Sequence, residues 1–269
     1  MLRDDPAAEA SPMRALIPRL LPACAMLVAC QTACDDDDDG EQTADAALAP
    51  RLDAATPPVD VWQPPADLTW QWQLDGDRLG ANYDVQMYDI DLFDQPASAV
   101  GGLQAAGRKV ICYFSAGSGE DWRPDHAMLP AAALGKPLGD WPGERWLDIR
   151  SEAVWRVMEG RLDLAREKGC DGVEPDNVNV FANDSGFPLR PDDQLAFNRR
   201  LAAAAHARGL AIGLKNDGDQ IPQLVGDFDF ALNEECHAFG ECAQLKPFVD
   251  AGKAALNVEY APDAAAAAT

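Results

Sequence analysis

Positive charge is scarce in this 269-residue chain, where 22 lysines and arginines stand against 45 aspartates and glutamates and leave a net charge of −23. Such a chain is repelled by a phosphate backbone, so nucleic acid is excluded as a partner. Its acidity serves solubility and suits a cationic ligand. Histidine is scarcer still. His126, His206 and His237 do not stand at metal-ligand spacing, and neither a metal nor another cofactor is expected. Gly117-Ser118-Gly119 lacks the lysine of a phosphate loop and no helix pattern follows at once, so a flexible substrate-side loop is expected there. The apolar stretch Leu20 to Ala29 is too short to span a bilayer as a mature helix. What the chain does have is 47% hydrophobic residues, enough for a sizeable core.

The N-terminus reads as an export signal. Residues 1–12 look like neither leader nor domain, and Met13 is expected to be the true start. Arg14 and Arg19 supply a short basic region, and the apolar stretch closes in Leu27-Val28-Ala29-Cys30. That ending resembles a bacterial lipobox, in which the signal is cut before a cysteine that is then acylated. A plain signal peptide cut nearby is the alternative reading, and Cys34 is a weaker acylation site. Gln31 after Cys30 is compatible with outer-membrane sorting. Residues 1–30 are therefore expected to be leader. Residues 31–60 are expected to be a disordered tether, because the acidic run Asp35 to Asp39 repels itself. The domain is assigned to residues 61–269, in a monomer held to the cell envelope or surface through a lipid on Cys30.

Four cysteines fall in the domain, and an exported chain is free to oxidise them. Cys236 and Cys242 are expected to close a short loop as a disulfide, metal binding with His237 being the weaker reading. Cys112 and Cys170 lie on apparent strands, paired or simply buried.

Hydrophobic periodicity yields eight strand candidates: 70–74, 84–91, 109–115, 145–150, 169–177, 210–216, 229–235 and 254–260. Helical patterns over 95–106, 151–169 and 192–209 alternate with several of them, and residues 134–143 and 181–190 read as loops. A repeated strand-then-helix order argues for a parallel sheet, and eight units in this length fit an α/β fold of the (β/α)8 TIM-barrel type. In such barrels the C-terminal strand ends carry the site. Polar residues gather there: Asp89, Asp91, Ser115, Asp148, Glu174, Asp176, Lys215, Asn216, Glu234 and Glu259. Asp176 and Asn177 also suit a helix N-cap, so the segment alone does not decide between cap and catalyst.

Five stretches then resemble one family in order: Val110 to Gly117, Trp146 to Arg150, Asp171 to Asn177, Gly213 to Asp217 and Asn233 to Cys236. The domain is similar to the endo-α-1,4-polygalactosaminidases of glycoside hydrolase family 114. The resemblance implies a (β/α)8 fold and hydrolysis of α-1,4 bonds in galactosamine-containing polysaccharide, with Asp176 and Glu234 as the catalytic acids. Glu174 rivals Asp176, and Glu235 stands next to Glu234. Glycoside cleavage needs a protonated acid at the leaving oxygen and a carboxylate opposite, a gap that two different strands provide. Lys215 suits holding a carboxylate ionised or binding a hydroxyl, or a structural ion pair. Asp89, Asp91, Asp148 and Glu259 are candidates for binding sugar amines, with Glu174, Asn177, Asn216 and Glu235 beside them. Tyr113, Trp122 and Tyr260 suit stacking on sugar rings or core packing. A carbohydrate-binding surface lipoprotein that has lost catalysis is the alternative function.

Overall fold

A computed structural model describes residues 60–74, 79, 83–139 and 141–260 of the chain. The expected leader, Cys30 and most of the tether lie outside the described residues.

Seven parallel strands form one curled sheet in the order β1 (Trp70–Gln73), β2 (Met87–Asp91), β3 (Lys109–Ser115), β7 (Gly172–Asp176), β8 (Ala211–Lys215), β9 (Phe230–Glu234) and β10 (Ala254–Val258). The class is α/β of the TIM-barrel type. Its curl brings Trp72 of β1 and Tyr260, just past β10, to a ring separation of 6.4 Å. Strand parity divides the core in two. Met87, Ile111, Phe230, Leu232, Ala254 and Leu256 pack together inside the curl with Trp70 and Trp72. Ile90, Val110, Phe114, Val173, Ile212, Leu214 and Ala231 face the helices. Most of the strands are therefore apolar on both faces over their lower part, as a covered parallel sheet requires.

The long helices follow from their sequence pattern. In α2 (Glu152–Lys168) Val154, Met158, Leu162 and Ala165 recur at helical spacing and are all fully buried. Glu152 lies in its first turn and Arg166 and Lys168 in its last, matching the helix dipole. Gly169 ends it at φ 84°, a left-handed conformation that glycine adopts without strain. Helix α3 (Pro191–His206) starts at Pro191, and the Asp193 carboxylate accepts from the Arg190 backbone N–H at 2.8 Å. The shorter α1 is Ala97–Ala105, while α4 (Ile221–Leu224), α5 (Cys236–Phe239) and α6 (Lys246–Asp250) are brief.

One expected barrel strand is absent from the sheet. Residues 144–147 form β6 (Glu144–Leu147), the centre of a small antiparallel sheet between β4 (Ser118–Glu120) and β5 (Leu134–Pro137). This sheet is inserted after β3, so β3 pairs directly with β7. Ser118 and Gly119 of the Gly-Ser-Gly stretch thus lie in a buried strand rather than a flexible loop, and residues 134–137 are strand too. Gly117 lets the insertion come close. Its backbone N–H and that of Ala116 donate to the Asp176 carbonyl at 3.1 and 2.8 Å, and a Cβ on Gly117 would lie 1.7 Å from the Asn177 oxygen. The insertion is therefore seated on the end of β7.

Both cysteine pairs are disulfides: Cys236–Cys242 as expected, and Cys112–Cys170, which ties β3 to the entry of β7. The cysteines beside His237 are thus occupied with each other.

Candidate active site

Above the apolar plug, the inward-facing residues at the C-terminal strand ends turn polar. Lys215, 1% exposed at the end of β8, holds them together. Its Nζ lies 2.7 Å from Glu174, 3.3 Å from Asp176 and 3.3 Å from Glu234. Burial alone pushes the Lys215 ammonium down, but the charges of Asp176, Glu174 and Glu234 together outweigh it and raise its pKa well above the usual lysine value. The ammonium also stands 5.2 Å from the Trp72 ring and 5.7 Å from that of Tyr113.

The three carboxylates differ in depth. Glu174 is fully buried and accepts from Trp72 Nε1 at 3.0 Å as well as from Lys215. Below it Asp89, also fully buried, meets no donor at either carboxylate oxygen among the described residues. Burial, then the Glu174 charge, raises its pKa well above the usual range. Asp176 and Glu234 reach the open cavity, their side chains 17% and 25% exposed. Asp176 accepts from Tyr113 OH at 2.9 Å and from the Asn177 backbone N–H at 2.7 Å. Burial and the Asp176 charge keep that phenol protonated, hence a donor. Glu234 accepts from Tyr260 OH and, at 3.2 Å, from Asn216 Nδ2.

Backbone geometry aims these groups. Asn177, Asn216 and Glu235, each directly after a strand, have φ of 60°, 51° and 60°. Asparagine tolerates this left-handed region, whereas at Glu235 it costs roughly 1 kcal/mol or more. The turn carries Glu235 away from the site, so of the two adjacent glutamates Glu234 faces the cavity.

That cavity has a volume of about 810 Å³, and six carboxylates and two cations line it. Asp91, Tyr113, Asp176, Asn177, Lys215, Asn216, Glu234, Tyr260 and Trp122 are on its wall. Asp91 is already paired there with Arg123 at 2.7 Å and caps the Phe93 N–H at 2.8 Å. Glu174 and Asp89 lie beneath the wall and act through Lys215 and each other. Asp148, Glu235 and Glu259 are not brought to the cavity. Asp148 pairs with Arg150 at 2.8 Å, and Glu259 accepts from the His237 N–H at 2.9 Å and Asn257 Nδ2 at 2.7 Å.

Sequence reasoning missed several wall residues: Trp72, Glu120, Arg123, Trp141 and Glu144. Trp72 was recognisable as an inward strand position. The others come from the insertion, whose place over the barrel mouth no local pattern announces. Arg123 bridges Asp91 and Glu120, and Arg161 reaches Glu120 at 3.4 Å and Asp125 at 2.8 Å, so a buried ion network fixes the insertion to the barrel.

A curled parallel sheet with paired carboxylates at its strand ends, facing a large cavity, defines a barrel hydrolase. The chain belongs to glycoside hydrolase family GH114, whose model matches residues 52–269, and is a glycoside hydrolase. Among solved structures it is similar to Ega3 of Aspergillus fumigatus in complex with galactosamine, at 48% identity and a TM-score of 0.73, over 75% of this chain and 80% of that one. It shares its fold with the glycoside hydrolase domain of PelA from Pseudomonas aeruginosa, at 14% identity and a TM-score of 0.58, over 74% of this chain and 85% of that one. Comparison with curated protein sequences gave no match.

Proposed function

We propose that the enzyme cleaves α-1,4 links in galactosamine-containing polysaccharide, with Asp176 and Glu234 as its catalytic pair. The observation that carries this reading is the position of both carboxylates, on separate strand ends at 3.3 Å from one Lys215 nitrogen. Their facing oxygens are then no more than twice 3.3 Å apart, at or below the short end of the ~6.5–9.5 Å that separates inverting pairs, so the retaining course is the one taken here. One carboxylate attacks the anomeric carbon as the glycosidic C–O bond breaks, and the other carboxyl gives its proton to the leaving oxygen. Water then releases the sugar, with that second group now acting as base. Lys215 sets its positive charge beside both carboxylates, and Tyr113, Tyr260 and Asn216 orient the pair.

The sugar class rests on charge and on the similar fungal protein solved with galactosamine. A deacetylated galactosamine polymer is cationic, and a cavity with a carboxylate excess attracts it. The two disulfides suit an oxidising compartment, in keeping with the export and the Cys30 acyl anchor that the N-terminal sequence suggests. Digestion of a glycan panel tests the activity. Oligosaccharides released from α-1,4-linked galactosamine polymer are expected. Binding without release, or cleavage of other glycans alone, would reject it.

A further inference from the structure

Glu144, the first residue of β6, is a charge without a counter-charge. It is 6% exposed and lines the cavity wall. Its Oε1 accepts from Ser118 Oγ and, at 3.5 Å, from Asn177 Nδ2, both neutral donors. Ser118 is bonded in turn to Ser115, and the Asn177 amide also donates to Ser115 Oγ at 3.0 Å. Glu144 is therefore held rigidly, one residue from Asp176 through Asn177. No ion pair reaches it from any described residue. The cations nearby are committed elsewhere: Arg123 to Asp91 and Glu120, Lys215 to the catalytic pair and Glu174.

A carboxylate this buried without a cation is costly to keep ionised. Burial first, with the charges of Glu120 and Asp176 adding to it and Ser118 and Arg123 opposing, pushes its pKa up to about 7. A positively charged ligand group arriving in the cavity reverses that cost. Trp141 and Trp122 stand on the same wall, 65% and 51% exposed, and offer apolar faces to a sugar ring.

We propose that Glu144 receives the free ammonium group of a galactosamine residue and so discriminates against the N-acetylated sugar. The assignment rests on the function proposed above and names the residue that sets its substrate form. An ammonium gives the held carboxylate a charge-assisted bond. An acetamide brings a single neutral N–H and a methyl group, and leaves the buried charge uncompensated, which a site of this kind rejects.

The test is Glu144→Gln, which keeps an amide oxygen for Ser118 and Asn177 and deletes only the charge. On deacetylated galactosamine polymer KM is expected to rise about 10- to 100-fold, the loss of one hydrogen bond to a charged group, while kcat falls far less. The preference for deacetylated over partly N-acetylated polymer collapses with it. The wild-type KM rises below about pH 7, as Glu144 takes up its proton, and the variant loses that rise. The variant melts no lower than the wild type, since a buried unpaired charge has gone. An unchanged KM and an unchanged preference in Glu144→Gln overturn the assignment and leave the enzyme reading standing. Absence of turnover in the wild type sinks the enzyme reading instead. Glu144 is then judged by whether galactosamine raises the melting temperature of the wild type and not of Glu144→Gln; equal shifts in both would reject it.

Discussion

Lys215→Met removes the one cation shared by Glu174, Asp176 and Glu234 while keeping much of the side-chain volume. At an effective dielectric of ~20, a charge pair about 3 Å apart is worth about 5 kcal/mol before desolvation is counted. Removing one partner of a buried pair costs ~3–5 kcal/mol net, because the remaining charge stays behind uncompensated. For a domain of this size, that is a fall in Tm on the order of 10 °C. The sign of the pH dependence follows. Without Lys215, burial raises the Glu174 pKa with no ammonium to oppose it, so the folded state holds a proton that the unfolded chain releases, and stability falls as pH rises. The deficit against wild type is therefore smallest near pH 4 and largest above pH 7. Activity moves with it: the acid limb of the kcat/KM profile shifts upward by about 1 unit or more, and kcat drops ~100-fold or more. Thermal melts from pH 4 to 9, with reducing-end release across the same range, check both. A melting deficit that does not change with pH, with an unmoved acid limb, would refute the role given to Lys215.

Asp217, 4% exposed and next to Asn216, has its pKa pushed up to about 8 by burial and by the charge of Asp219. Between about pH 4 and 8 the fold keeps a proton that the unfolded chain sheds, so this residue costs stability increasingly across that window. Asp217→Asn keeps the acceptor for Asn198 Nδ2, now at 3.0 Å, and tolerates the φ of 47°. It is expected to match the wild type near pH 4 and to be more stable by ~2 kcal/mol or more at pH 7 in urea titrations. Of the disulfides, Cys112–Cys170 spans 58 residues and Cys236–Cys242 spans 6. Chain entropy assigns them about 4 and about 2 kcal/mol, so replacing the first pair with serine is expected to lower Tm about twice as far as replacing the second.

Strand periodicity made most of the sheet legible in the sequence, and the family resemblance picked out Asp176 and Glu234 among its strand-end acids. Glu174 and Asp176 were placed on one face of a strand end and Lys215 and Glu234 at the ends of two others, and all four meet in the structure. Alternation does not reveal which partner a strand pairs with. Residues 145–150 therefore read as a barrel strand, although 144–147 pair with β4 and β5 in the insertion. Asp148 left the site with that correction, and Glu144 entered it. Depth was also hidden. Asp89 looks like any strand-end acid, yet β2 places it beneath Glu174 and out of reach of a ligand. Glu235 turns away because of a left-handed backbone that a glutamate does not advertise.

The most direct measurement of the catalytic pair is oligosaccharide release from α-1,4-linked galactosamine polymer by the wild type, Asp176→Asn and Glu234→Gln, with melting temperatures recorded for all three. Both substitutions keep the shape of the side chain and remove its acid–base function. The wild type is expected to release oligosaccharides, and each variant to lose at least about 10³-fold in kcat while remaining folded. Release within tenfold of wild type by either folded variant would contradict the assignment of the pair.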